Sequence, residues 1–186
     1  MGEAAGATSR SEQSQKMELK IEVKINRLTE LLERFPLALQ RGIQRGLTRS
    51  TALLRRAVET NIRTPLGAKP PVVAFGVLAN SVTAEVSQER TRAVGRVFVK
   101  APADRYGVFV EFGTRPHRPP LNPLISWARI KFHMTDPKKI RATAWAVAEK
   151  IAKHGTQGHF MFGRAFQENE KKVVSILEEE IQRSLP

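Results

Sequence analysis

LANSVTAEVSQERTRAVGRVFVK, residues 78 to 100, is the stretch on which the fold turns. Its two ends, Leu78 to Val86 and Val94 to Lys100, are rich in valine and read as strands. The QERTR between them is polar and short enough to be a hairpin connection. An antiparallel pair is therefore expected near the middle of the chain. A third apolar segment follows, Tyr106 to Phe112, whose pattern suits either a strand or a short helix.

Upstream, Met17, Leu19, Ile21, Val23 and Ile25 alternate with Glu18, Lys20, Glu22 and Lys24. That period of two predicts a half-buried strand with a charged outer face. A helical stretch runs from about Asn26 to Ile62, and Pro36 either divides it into two helices or kinks it. Gly42 and Gly46 lower its intrinsic helicity, so packing must hold it. NIRTPLGAKPPVVAFG, residues 61 to 76, reads as a long loop.

Downstream, three helical segments are expected, at about Pro123 to Phe132, Pro137 to His154 and Phe162 to Ser184. The second has Pro137 behind Thr135 and Asp136, which suit capping, and it stops at Gly155. Together these predict an α+β fold: a small antiparallel sheet packed with a long N-terminal helix and a helical C-terminal half. Residues 1–16 read as a flexible, solvated tail. Residues 17–186 read as one domain with an extended arm or loop at about 113–123 and a helical insertion at about 123–158.

Hydrophobic residues make up 41% of the 186, which suits a globular core. No window approaches the ~18 apolar residues of a membrane span, and the first residues lack the apolar core of a secretory signal. There is no cysteine, so disulfides and thiolate metal sites are excluded. Thirty-one Lys and Arg against 18 acids give net +13, which points to a polyanionic partner, nucleic acid or an acidic protein surface.

Part of that charge forms a stripe. Arg27, Arg34, Arg41, Arg45, Arg49, Arg56 and Arg63 fall within an arc of about 80° on a helix, opposite Leu39, Ile43, Leu47, Leu53, Leu54 and Ala57. The five from Arg41 to Arg63 keep this alignment whatever Pro36 does. Like charges four apart repel by about 0.2–0.5 kcal/mol. Such a face is solvated, or paired with acids of the fold or of a neighbouring subunit, or laid along a phosphate backbone. No aromatic residues interleave with it, which disfavours single-strand stacking.

The histidines, at 117, 133, 154 and 159, show no i, i+4 helical metal spacing, and no carboxylate cluster completes a metal shell. His154 and His159, which could reach a metal across the loop HGTQGH, read better as coincidence. There is no phosphate-binding loop, dinucleotide fingerprint or nucleophile elbow. No catalytic residue, metal or cofactor is assigned. Glu111, between Val110 and Phe112, can face solvent from a strand or form a buried pair with an arginine of this or another subunit.

Leu78-Ala-Asn-Ser81-Val, then Val97-Phe-Val, then Tyr106-Gly-Val-Phe-Val-Glu-Phe-Gly-Thr114 resemble the ordered motifs of a phage family. These are the neck or tail-completion (head–tail joining) proteins of long-tailed double-stranded-DNA bacteriophages. Phe162, Ala165 and Phe166, followed by Val173, Ile176, Leu177 and Ile181, look like that family's closing amphipathic helix. The resemblance spans about residues 26 to 184, and the Tyr106 to Thr114 block is its most specific part. Gly107 stands where the family usually has alanine, and the helical insertion exceeds what compact members need; related tail-terminator rings share this build.

The resemblance implies a structural virion protein, assembled in the host cytoplasm, and no enzyme. It implies a homo-oligomeric ring, commonly a hexamer, at the head–tail junction between the tail tube protein and the head connector or adaptor. Double-stranded DNA would pass through the lumen, and no membrane is involved. The stripe Arg41, Arg45, Arg49, Arg56 and Arg63 would then face that DNA or an acidic partner. Glu111, Phe112, Gly113, Thr114, Arg115, Pro116, Arg118, Pro119 and Pro120 would form a stiff subunit-contact segment. Glu178, Glu179 and Glu180 would form an acidic patch for a neighbour's arginines. The runner-up reading is a non-sequence-specific DNA-binding accessory protein, and the third a metal-dependent nuclease.

Overall fold

The computed structural model describes residues 18–24, 36–64, 76–88 and 92–186. The expected N-terminal tail, the helical stretch before Pro36 with Arg27 and Arg34, and most of the proline-rich loop lie outside these residues. In chain order the elements are β1 (Glu18–Lys24), α1 (Pro36–Arg63), α2 (Val77–Asn80), β2 (Val82–Gln88), β3 (Arg92–Val99), α3 (Asp104–Phe112), β4 (Gly113–Thr114), α4 (Leu121–Lys131), α5 (Pro137–His154), β5 (Thr156–Gln157) and α6 (Met161–Ser184). This is the α+β class that the patterning predicts.

The main sheet has the order β1-β3-β2, antiparallel throughout. Alternation places its strands as expected: Leu19, Ile21 and Val23 are half-buried, while Glu18, Lys20 and Glu22 are exposed. In register, Leu19 lies opposite Val97 and Val23 opposite Ala93, and from the other side Ala84 lies opposite Val97. The hairpin of β2 and β3 follows the prediction, with one correction. Residues 78 to 81 are not strand; they form α2 and a turn, closed by the Ser81 hydroxyl donating to the Val77 carbonyl at 2.7 Å. A short apolar run does not distinguish a helical turn from a strand start.

α1 covers the apolar face of this sheet. Pro36 is the first described residue of this helix, a position where a missing N–H costs nothing, and the stretch before it lies outside the described residues. Leu39, Ile43, Leu47, Leu54 and Val58 are fully buried, and Leu53 and Ala57 pack against the same core. α6 lies along α1 and contributes Phe162, Ala165 and Val173 to that core.

Gly42 and Gly46 explain themselves at this crossing. A Cβ at 42 would stand 2.8 Å from the Glu180 carbonyl oxygen and 3.0 Å from the Ile181 Cα. At 46 it would stand 3.2 Å from the Leu177 Cα. The two backbones meet almost directly, and the helix propensity lost at each glycine, about 1 kcal/mol, is the cost of that approach. Charge then ties the crossing. Arg45 Nε is 3.3 Å from Glu180 Oε2, Arg49 reaches both Glu180 and Glu179, and Arg183 is 3.1 Å from Glu179 and 3.5 Å from Glu180.

Of the three acids expected to form an inter-subunit patch, Glu179 and Glu180 are therefore paired within the chain, while Glu178 is exposed. Glu180 is 3% exposed and, with Glu179, pairs with arginines of its own chain. The reason is phase: Ala165, Asn169, Val173, Leu177 and Glu180 follow helical spacing, so Glu180 falls on the face turned to α1.

The α4–α5 pair, in the span expected to be helical, is a helical hairpin whose two members pack chiefly on each other through Ala128, Ile140, Ala144 and Ala148. Asp136 caps α5, accepting from the Lys138 N–H at 2.8 Å and more weakly from Lys139 at 3.5 Å, with Pro137 at the first helical position. Gly155 ends it with φ at 69°.

The hydrogen bond from Arg49, with the nearby charges of Arg49, Arg183 and Arg45, holds the Glu180 carboxyl below its ordinary range despite its burial. A depressed carboxyl adds stability above its unfolded value and loses it as pH falls through the folded one. Glu180→Gln is expected to lower the melting temperature at pH 7 and to flatten the acid limb of melting temperature against pH below about 5. An acid limb unchanged by the substitution would show that other groups govern it.

Candidate functional site

The C-terminal end of α3 and the start of α6 meet around Glu111. α3 is a helix, which settles the ambiguity over Tyr106 to Phe112. Gly107 and Glu111, four apart, form its buried side. Glu111 is 3% exposed, so its carboxylate does not face solvent, and among the described residues it pairs with no arginine. Oε2 accepts the Phe162 N–H and Oε1 the Gly163 N–H, each at 3.0 Å. These are orphan donors of α6, where the helix dipole also favours a negative charge. The adjoining backbone joins in: the Glu111 carbonyl accepts the Phe160 N–H at 3.0 Å and the Val110 carbonyl accepts the His159 N–H at 2.9 Å. The solvent-facing strand position expected for Glu111 is thus corrected, since the residue lies buried on a helix and its carboxylate is satisfied within the chain by backbone donors.

Further bonds close the junction. Gly113 and Thr114, directly after α3, pair as β4 with β5 in a second two-stranded sheet. The Thr114 and Thr156 hydroxyls lie 3.0 Å apart, and the Thr156 N–H donates to Thr114 Oγ1 at 3.2 Å. This clasp holds the base of the α4–α5 hairpin. Asn61, near the end of α1, donates to the Met161 carbonyl at 3.0 Å, and Arg164 donates back to the Asn61 carbonyl at 3.1 Å. Asn61, Thr156 and Arg164 carry no local signal of these roles, because each partner lies far away along the chain.

The outer side of the junction is aromatic. Tyr106, Phe109 and Phe112, spaced three apart on α3, are 40%, 57% and 65% exposed. Phe160 is 48% exposed and is held at φ 47°, ψ 42°, a left-handed conformation that costs a non-glycine residue about 1–2 kcal/mol. Burial, reinforced by Arg164 and Lys131, pushes the His159 imidazole below its ordinary value, so it is neutral at pH 7.

The proline-rich segment after β4 lies along α5 of the same chain. The His117 N–H donates to the Ile151 carbonyl at 3.4 Å, and Arg118 is 3.6 Å from Glu149. Arg115, Pro116 and Pro120 remain exposed, and Pro119 is partly covered. On α1 the stripe is divided. Arg45 and Arg49 are engaged by acids, and Arg63 donates to the Asn80 side-chain oxygen at 3.3 Å. Arg41 and Arg56 are exposed and have no partner among the described residues.

Among the described residues no group of three His, Asp or Glu is placed to hold a metal, and no helix is long and apolar enough to cross a membrane. Comparisons with known protein families, with curated proteins and with solved structures return no match.

Glu111→Gln keeps the shape and replaces one acceptor with a donor facing a backbone N–H. The expected loss is about 1–3 kcal/mol in urea unfolding, the cost of an unsatisfied buried donor. Wild-type stability in this variant would contradict the capping role.

Proposed function

We propose that the chain is a structural phage virion protein of the neck or tail-completion type. It forms a homo-oligomeric ring at the head–tail junction through which double-stranded DNA passes. One observation carries the reading. The Tyr106 to Thr114 block, where the resemblance is most specific, turns Gly107 and Glu111 inward and sets Tyr106, Phe109 and Phe112 outside. A core motif would bury its aromatic residues. A motif that builds a rigid junction and then exposes three rings beside it is suited to meeting another surface.

Support also comes from what holds those rings in place. The carboxylate cap, the β4–β5 clasp and the strained Phe160 fix the ridge before any partner arrives, which reduces the entropy lost on association. In the ring reading the ridge packs against an adjacent copy, and the segment Arg115 to Pro120 at its edge adds rim contacts. Nothing in this role calls for catalysis, and the chain is read as a non-enzyme. The tail tube protein and the connector or adaptor are its flanking partners.

The test is the mass of the purified protein by light scattering, alone and with purified tail tubes, beside Phe109→Ser and Phe112→Ser. Rings, free or capping tube ends, are expected for the wild type, and the variants should shift at least about tenfold in concentration towards monomer, the effect of losing a central aromatic contact. A monomer at all concentrations that ignores tubes would overturn the reading.

A further inference from the structure

Among the described residues, most of the unpaired positive charge lies away from the α1 stripe. Residues 115 to 154 hold nine Lys and Arg against two acids, which is more than half of the chain's net +13. Both acids are occupied: Asp136 caps α5, and Glu149 pairs with Arg118. Arg129, Lys138, Lys139, Arg141, Lys150 and Lys153 are exposed and have no partner among the described residues. On α1, by contrast, Arg45, Arg49 and Arg63 are already engaged. A cation already paired with an acid gains little from a phosphate, whereas a free one releases its condensed counterions.

We infer that the outer face of the α4–α5 hairpin binds the phosphate backbone of duplex DNA without reading its sequence. Five of the six free cations of the α4–α5 hairpin lie on α5, and Lys138 to Lys153 spans about 22 Å of helix at 1.5 Å per residue. That length suits an extended polyanion and far exceeds a small anion. Ala142 and Ala146 lie among these cations on the exposed side, so the helix can approach the backbone closely. Trp145, 47% exposed, is the one aromatic residue of α5. A single-strand site would need several stacking rings in succession. A membrane-surface helix would need a continuous bulky apolar stripe, which the alanines break.

The inference deepens the ring reading by naming the surface turned to the genome, and it rests on that reading for this placement alone. Duplex binding by the isolated chain is measured without it, so the two can fail separately.

The experiment titrates the full chain with a 30-base-pair duplex of arbitrary sequence from 50 to 300 mM salt, following Trp fluorescence and anisotropy of a labelled duplex. The wild type is expected to show a log–log salt slope of about −4 to −5, corresponding to some five phosphates neutralised. Lys138→Gln/Arg141→Gln/Lys150→Gln/Lys153→Gln, with its fold checked by circular dichroism, should lose at least about tenfold in affinity and flatten the slope by about 3 to 4. Arg41→Gln/Arg56→Gln on α1 should change affinity less than about threefold, as expected for cations outside the contact. Three results would overturn the inference: no duplex binding at 50 mM salt, loss of binding only in the α1 variant, or binding to phosphatidylserine vesicles in place of duplex.

Discussion

The near-contact of the α1 and α6 backbones is the constraint from which the rest of the structure follows. Gly42 and Gly46 permit it, and Glu180, fixed between Arg45, Arg49 and Arg183, sets its register. With α6 pinned there, its first turn is delivered to the end of α1, where Asn61 and Arg164 exchange hydrogen bonds. The same placement brings the orphan N–H groups of Phe162 and Gly163 to the Glu111 carboxylate. A burial that looks costly for an acid is thus satisfied by donors that would otherwise lack partners.

That geometry separates the surfaces by chemistry. The junction around Glu111 holds an aromatic ridge in a fixed attitude on one side. The β4–β5 clasp roots a helical hairpin whose cations outnumber its acids and whose few acids are already committed. An apolar surface suits a close, dry contact with a copy of the same chain, and a cationic one suits a wet, salt-sensitive contact with phosphate. A protein that encircles DNA and does not trap it would need both, kept apart.

Much of this was legible in the sequence. Alternation at Leu19, Ile21 and Val23, the apolar stripe of Leu39, Ile43, Leu47 and Leu54, and the Asp136-Pro137 start of α5 are local signals with local causes, and each element formed where they placed it. Leu78 to Ser81 and Tyr106 to Phe112 misled or stayed ambiguous because short apolar runs carry no decisive period. The role of Glu111 was out of reach, since its donors lie about fifty residues downstream and are backbone atoms. Glu180 is legible by phase, since its spacing from Val173 and Leu177 puts it on the buried face, although it sits in a run of three acids. The free cations of the hairpin were equally countable, yet only the structure shows which arginines of α1 are already paired.

The central claim is that the ridge of Tyr106, Phe109 and Phe112 is covered by another copy of the same chain. Placing the photo-crosslinking residue p-benzoylphenylalanine at position 112 and irradiating the purified protein, alone and on purified tail tubes, tests this directly. The account predicts a ladder of covalent oligomers on a denaturing gel, with the crosslinked peptides coming from two copies. A single band at monomer mass, with crosslinks confined to one chain, would contradict it.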